Sequence, residues 1–439
     1  MSRRQVHEAL ILAAGRGERL ADQGLPKPLV SFMGMPLLLR CMKILQRAGV
    51  QRVVIVVGHA SGLVGAAARR YADEAGLRLT VIRAGEWRHG NGASALTARH
   101  CFTSSFLMVM CDHLFEPAML ARLARARPPA DGVLLAVDRQ RENPLVDMAD
   151  VTRVRCRGRR IIDIGKGLPA FDGFDTGAFH CTPALFDALA GSGGSISDAV
   201  RLLAEDGKAR AWDVGDCFWA DLDDAAAMAR ARRAMLVQAA GKAHDGPVAR
   251  LFNRPVSLRL SAHLLNLGVT PMQVTWFSFL LAVLAALLIA QPAWAMLALG
   301  GVLAQAASIV DGCDGEIARL SMQESDIGAW LDAVLDRYAD ALLIAGFAVH
   351  AFSHEVQPLQ VLLAGMAALS GTLINSYTAD KYDGWMKRQG RPYRFRLGRD
   401  VRILTMMMAA VADAPMLLLW GLAILMHMEN ARRIRVILR

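Results

Sequence analysis

Asp311-Gly312-Cys313-Asp314-Gly315-Glu316-Ile317-Ala318-Arg319, followed by Gly328, Asp332 and Asp336, decides how the second half of this chain folds. Asp311 and Asp314 are three residues apart, and Asp332 and Asp336 four apart, so at helical pitch each pair shares one face. The sequence on either side is apolar. Four carboxylates on two neighbouring apolar helices would repel and desolvate one another, and two divalent cations held between the helices are the simple remedy. Gly315, Ala318 and Gly328 are small enough to let a helix and a ligand approach closely.

Working outward, six strongly apolar helical stretches stand at 274–290, 294–310, 328–352, 356–377, 401–412 and 416–428. Several approach the ~20 residues that a bilayer-spanning helix needs. The fifth and sixth read as one tight hairpin around Ala414-Pro415. The connections at 291–292, 353–357 and near Asp413 lack Lys and Arg, whereas 381–402 and 432–439 are dense in both. With both ends inside, every basic segment lies on the cytoplasmic side. The expectation is an all-α, six-helix transmembrane domain, multi-pass in the inner (cytoplasmic) membrane and in contact with the lipid bilayer.

The first half reads differently. Apolar β-type runs at 9–13, 53–57, 79–82, 106–110 and 133–137 alternate with helical stretches at 35–48, 63–75 and 117–126. Alternation of this kind predicts βαβ units and a Rossmann-like, mostly parallel sheet, hence an α/β domain. A helix over 223–240 closes it, and the polar break at 241–246 sets the expected boundary: a cytosolic domain at 1–245 and a membrane domain at 246–439.

Composition narrows the class. Of the 439 residues 54% are hydrophobic and 21% charged, which excludes a disordered chain and argues against an ordinary soluble enzyme. A net charge of +10 suits phosphorylated substrates, anionic lipid or nucleic acid. With 6% aromatic residues there is no aromatic-rich platform for nucleic acid, and none is expected as a partner. The seven cysteines form no CxxC pair and read as reduced thiols. The basic N-terminus lacks a long apolar core, so no secretory signal is expected.

Leu10-Ile11-Leu12-Ala13-Ala14-Gly15-Arg16-Gly17-Glu18-Arg19-Leu20 follows the first strand, with Pro26-Lys27-Pro28 shortly after. From Ala13 onward, Gly15 and Gly17 would let backbone N–H groups approach a polyphosphate, and Arg19 and Lys27 could neutralise it. The loop has neither a Walker lysine nor a full Gly-x-Gly-x-x-Gly fingerprint. The complete string resembles nucleotidyltransferases that join a nucleoside triphosphate to a sugar- or polyol-phosphate. That resemblance implies that Asn91 and Gly92, in Gly90-Asn91-Gly92-Ala93-Ser94, read base and ribose. It also implies that Asp112 is a magnesium ligand, with Asp221 in Trp219-Ala220-Asp221 the second and Asp223 its competitor. Met110-Cys111-Asp112-His113, Ile164-Gly165-Lys166-Gly167-Leu168 and Phe174-Asp175-Thr176-Gly177-Ala178-Phe179 resemble the inositol-1-phosphate cytidylyltransferases, in which Lys166 would bind the substrate phosphate.

The Asp311–Asp336 motif resembles the CDP-alcohol phosphotransferase pattern. That implies Asp311, Asp314 and Asp332 as metal ligands and Asp336 as both ligand and general base. Gly315, Ala318, Arg319 and Gly328 would cradle the CDP-alcohol. Asn253-Arg254, Ser257, Ser261 and Thr270-Pro271 resemble the family's interfacial helix and its junction with the first span. Asp340 continues the acidic stripe and reads as a hydrogen-bonding group inside the bundle. Arg394, Arg396, Arg399 and Arg402 form either a lipid-facing basic cluster or a pocket for a phosphorylated acceptor, and Gly398-Arg399-Asp400 resembles the inositol-phosphate-using branch. Mg²⁺ is the implied cofactor, with Mn²⁺ an alternative at the membrane site.

Together the halves resemble bifunctional enzymes that make CDP-inositol from CTP and inositol-1-phosphate and then di-myo-inositol phosphate phosphate. Both active sites would face the cytoplasm, and the family suggests a homodimer. Two alternatives stay open: a cytidylyltransferase for another alcohol phosphate feeding a lipid or polyol acceptor, or a silent nucleotide sensor on a lipid phosphotransferase.

Overall fold

The computed structural model describes residues 5–17, 24–240, 249–354, 357–389 and 398–438. In strand Glu8–Ala13, Leu10 and Leu12 face one way and Ala9 and Ile11 the other, all buried. A strand apolar on both faces belongs in the middle of a sheet covered by helices on both sides. It pairs in parallel with Arg52–Val57 and with Phe106–Met110, and Arg52–Val57 pairs in parallel with Arg78–Arg83. From Phe106–Met110 the sheet continues through Gly173–Cys181, Val133–Asp138, Ala209–Asp213, Arg160–Lys166 and Thr152–Arg157.

The sheet is mostly parallel, as expected, with Gly173–Cys181 and Arg160–Lys166 running against the other strands. Gly173–Cys181 runs antiparallel to both Phe106–Met110 and Val133–Asp138. Thr152–Arg157 and Arg160–Lys166 form an antiparallel pair. Only Gly158 and Arg159 separate the last two, far short of the crossover of a dozen or more residues that a parallel pairing needs. Gly158 takes φ +63° in the tight turn between Arg157 and Arg160, a conformation that favours glycine. On one face of the sheet, Phe102, Phe106 and Phe186 stack, with centroids 4.1 and 5.3 Å apart, within the core that also holds Leu10, Leu12, Val54 and Val56.

Two compact units divide the chain, Met1–Ala234 and Met235–Arg439, the division falling within helix Ala225–Ala240. The polar break expected at 241–246 lies outside the described residues. The second unit is helical: Arg254–Asn266, Pro271–Ile289, Trp294–Leu320, Asp326–His354, Pro358–Arg388, Arg399–Val411 and Pro415–Ile437. Thr270 starts Pro271–Ile289 with a capping box, its hydroxyl accepting from Gln273 N–H while the Gln273 side chain accepts from Thr270 N–H.

Small residues bring these helices together. A Cβ on Gly300 would lie 2.8 Å from the Ala285 carbonyl oxygen, and one on Gly346 2.7 Å from that of Ala286, so neither position has room for a side chain. Pro271–Ile289 is turned inside out relative to a soluble helix. Its inner face carries Ser278, Ala282, Ala285 and Ala286, while Phe277, Leu280, Leu284 and Leu287 are exposed. A continuous outward stripe of large apolar side chains is what lipid, rather than water, accommodates. Among the described residues, three helices are long and apolar enough to cross a membrane: Pro271–Ile289, Trp294–Leu320 and Pro358–Met386. Asp326–His354 has 29 residues but carries Asp332, Asp336, Arg337 and Asp340 in its first half, and Arg399–Val411 has only 13.

Candidate active sites

The first unit assembles its site where strands end. Asp112 and His113 follow strand Phe106–Met110, and a short antiparallel ladder sets Asp221 opposite His113. Trp219 at the start of this ladder is pinned by its indole N–H, which donates to Asp138 Oδ2 at 2.8 Å. Candidate ligand atoms of Asp112, His113 and Asp221 all lie within 4.8 Å of one another. Asp221 Oδ1 is buried and has no hydrogen-bond partner among the described residues, a costly state for a carboxylate oxygen that a cation would relieve. The oxygen-rich pair Asp112 and Asp221 fits a hard divalent cation.

Lys27 Nζ contacts Asp112 Oδ2 at 2.6 Å and Asp223 Oδ1 at 2.5 Å. Both carboxylates that competed for one role are thus in the site: Asp221 faces His113 and Asp223 faces Lys27. Burial works against charge on Lys27, but Asp112 and Asp223 outweigh it and hold the amine above its ordinary range. Burial likewise opposes the Asp221–His113 pair, yet their contact at 3.4 Å pulls Asp221 down to about 2 and pushes His113 up to about 10. The His113 ring is also tied by Nδ1 to the Thr176 carbonyl at 2.7 Å.

Asp112, Asp221, Lys166, Asn91 and Gly92 all line one cleft of about 450 Å³. Lys166, expected at the substrate phosphate, is largely exposed and paired with Asp150. Ala13 ends the first strand and Gly15 follows in the loop. Gly17 has φ +65°, and a Cβ there would lie 2.5 Å from Lys27 Cβ, so the loop's second glycine and the lysine occupy adjoining space. Arg19 lies outside the described residues.

In the second unit, the spacing-based expectation that motif carboxylates converge is met for Asp311, Asp314 and Asp332, whose candidate ligand atoms lie within 4.8 Å of one another. Three carboxylates this close on apolar helices fit a divalent cation better than they fit each other. Thr275 Oγ1 donates to Asp314 Oδ2 at 2.6 Å and Ser278 Oγ to Asp311 Oδ1 at 3.3 Å. Sequence reading missed both hydroxyls, although their i, i+3 spacing in an apolar span was a legible signal. Asp336 stands outside that triad and contacts Arg399 Nη1, which also donates to Asp311 Oδ2 at 2.9 Å. Gly328 N–H donates to Ser325 Oγ at 3.0 Å at the start of its helix, and Gly315 N–H to Asp314. Arg319 donates through Nε and Nη2 to the Ala239 carbonyl, at 3.2 and 2.8 Å, within the same unit. Arg394 and Arg396 lie outside the described residues.

Glu316 also belongs to the motif. It is fully buried and accepts from Arg254 Nη1 at 2.7 Å, Ser257 Oγ at 2.6 Å and Ser261 Oγ at 2.7 Å. All three donors come from Arg254–Asn266, so Glu316 docks that helix onto the motif helix.

Comparison with known proteins matches residues 9–163 to the MobA-like NTP transferase domain and residues 268–428 to CDP-alcohol phosphatidyltransferase. Fold and sites therefore define an enzyme with a nucleotidyltransferase domain and a CDP-alcohol phosphotransferase domain in one chain. The chain is 38% identical over 441 residues to the bifunctional IPC transferase and DIPP synthase of Rubrobacter xylanophilus, covering 98% of this chain and 96% of that one. To the protein of the same name from Aquifex aeolicus it is 33% identical over 446 residues, covering 99% and 97%. The chain belongs to the family of bifunctional IPC transferase and DIPP synthases. Among solved structures, the inositol-1-phosphate CTP transferase from T. maritima is similar at 24% identity, over 52% of this chain and 97% of that one, with a TM-score of 0.47.

Proposed function

We propose that the chain catalyses two consecutive transfers, one in each domain, with the boundary near residue 245. In the first, a phosphate oxygen of inositol-1-phosphate attacks the α-phosphorus of CTP; pyrophosphate leaves and CDP-inositol forms. In the second, a hydroxyl of another inositol phosphate attacks the inositol-bearing phosphorus of CDP-inositol. The P–O–P bond breaks, CMP leaves, and the hydroxyl proton passes to the Asp336 carboxylate.

Neither transfer needs a covalent nucleophile on the protein, so its residues supply position and charge. At the first site Asp112 and Asp221 would hold Mg²⁺, Lys27 and Arg19 the triphosphate, Gly15, Gly17, Asn91 and Gly92 the nucleotide, and Lys166 the incoming phosphate. At the second, Asp311, Asp314, Asp332 and Asp336 would hold divalent ions. Gly315, Ala318, Gly328 and Arg319 would cradle CDP, and Arg399, with Arg394 and Arg396, would meet the acceptor phosphate. A divalent cation at either site would offset charge on the attacked and leaving phosphate oxygens.

We further propose six membrane spans in the inner membrane, both sites facing the cytoplasm, and a homodimer. Charge distribution supports this topology: the outward connections carry no Lys or Arg.

The observation that carries the reading is the occurrence of two separate carboxylate clusters, Asp112–Asp221 and Asp311–Asp314–Asp332, each built by its own unit. The test is incubation of the purified full chain with CTP, Mg²⁺ and a panel of alcohol phosphates. Pyrophosphate release with inositol-1-phosphate, followed by CMP and a product of two inositols by mass spectrometry, is expected. Preference for another alcohol phosphate, or no pyrophosphate with any, overturns it.

A further inference from the structure

Asp340 is a buried carboxylate that the two transfers leave without a task. It is 1% exposed and lies one helical turn beyond Asp336 and two beyond Asp332, so the three share a face of Asp326–His354. An unpaired charge so placed would be strongly unfavourable. Each of its oxygens is instead taken by a different arginine: Oδ1 accepts from Arg399 Nε at 3.2 Å and Oδ2 from Arg402 Nη2 at 3.1 Å.

The two arginines are not equivalent. Arg402 is 4% exposed, and its Nη1 donates to the Thr372 carbonyl and to Ser376 Oγ, each at 3.3 Å. It ties Asp340 to helix Pro358–Arg388. Arg399 donates Nε to Asp340 and Nη1 to Asp311, Nη1 also contacts Asp336, and its Nη2 donates to none of the described residues. A guanidinium is planar, so holding Nε and Nη1 determines where Nη2 lies. Without the Nε contact, Arg399 could turn its Nη1/Nη2 fork onto the Asp311 and Asp336 carboxylates, the bidentate arrangement it favours. Nη2 would then be lost to any ligand.

We propose that Asp340 is a positioning residue for the second transfer. It holds Arg399 by Nε so that Nη2 is presented to the phosphomonoester of the acceptor while Nη1 stays on Asp336. This rests on the reading of Arg399 as an acceptor-phosphate contact. Asp340 touches no reactant; its effect passes through Arg399 alone.

The test uses the full chain in detergent, supplied with CDP-inositol, and follows CMP release with inositol-1-phosphate or free inositol as acceptor. Asp340→Asn keeps shape and removes the charge. KM for inositol-1-phosphate should rise at least about 10-fold, as expected when a hydrogen bond to a charged group is lost. KM for CDP-inositol should not change, and the loss with free inositol should be much smaller than with inositol-1-phosphate. Arg399→Lys, which lacks Nε, should show the same rise, and adding Asp340→Asn to it should change nothing further. Equal loss with both acceptors, a fall in kcat alone, or a full additional loss in the Arg399→Lys background would make Asp340 only a counter-ion and overturn the proposal. If Asp340→Asn no longer binds CDP and so has not folded, Arg399→Lys decides: an unchanged KM for inositol-1-phosphate refutes the role of Nε. If the wild type uses free inositol in preference to inositol-1-phosphate, the phosphorylated-acceptor reading fails first and Asp340 falls with it.

Discussion

Lys27 Nζ lies 2.6 Å from Asp112 Oδ2, joining residues 85 positions apart in the chain. The same amine contacts Asp223 at 2.5 Å, so the first site holds this lysine between two carboxylates and leaves Asp221 to His113. Charge in this site is therefore shared, and removing one member should disturb the chemistry more than the fold.

Asp112→Asn preserves the side-chain shape and removes a carboxylate from both Lys27 and the proposed divalent-cation site. CTP-dependent pyrophosphate release should fall by roughly 10²–10³-fold, the usual loss for a preorganised electrostatic group. Consumption of supplied CDP-inositol should stay at the wild-type rate. A pyrophosphate assay within a few-fold of wild type would exclude Asp112 as a metal ligand.

The converse variant is Asp336→Asn. Its loss of proton-accepting capacity should slow CMP release by at least ~10²-fold. CDP-inositol should then accumulate from CTP and inositol-1-phosphate, which chromatography of the nucleotides detects. Normal CMP release would remove Asp336 from the chemistry.

Arg254→Ala should act on stability. It leaves the fully buried Glu316 carboxylate with only Ser257 and Ser261 as donors, and breaking a buried pair this way costs ~3–5 kcal/mol. The melting temperature of the detergent-solubilised chain should drop clearly, and Arg254→Ala with Glu316→Gln should recover part of it. An unchanged melting temperature would mean that this helix contributes little to the bundle.

Topology can be read by labelling single cysteines in a chain stripped of its seven free thiols. A cysteine replacing Ser353 should react with an impermeant reagent from outside the cell, and one replacing Lys387 only after the membrane is opened. Outside labelling at 387 would overturn the six-span arrangement.

Much was legible before any tertiary structure. The spacing of Asp311, Asp314, Asp332 and Asp336 already placed carboxylates on helix faces, because helical pitch is a local property of the chain. The strand–glycine-loop string around Ala13–Gly17 and the carboxylates at Asp112 and Asp221 were readable for the same reason: each sits at the end of a short apolar run. Strand direction was not. The run at 173–181 looks like any other strand, and its antiparallel pairing with both Phe106–Met110 and Val133–Asp138 is set by long-range packing rather than by anything in the run itself.

The sequence by itself determined the two-part organisation, the apolar helices and the four motif carboxylates, since composition, periodicity and spacing are written in neighbouring residues. Only the tertiary structure decided which partners those groups meet. Asp340 could be placed on the acidic face, but not between Arg399 and Arg402, 59 and 62 residues away. Nor could Glu316 be matched to Arg254, or Asp221 and Asp223 be told apart as partners of His113 and Lys27. Those pairings depend on which faces the packed helices and strands bring within hydrogen-bond reach, and long-range packing leaves no periodic trace in the chain.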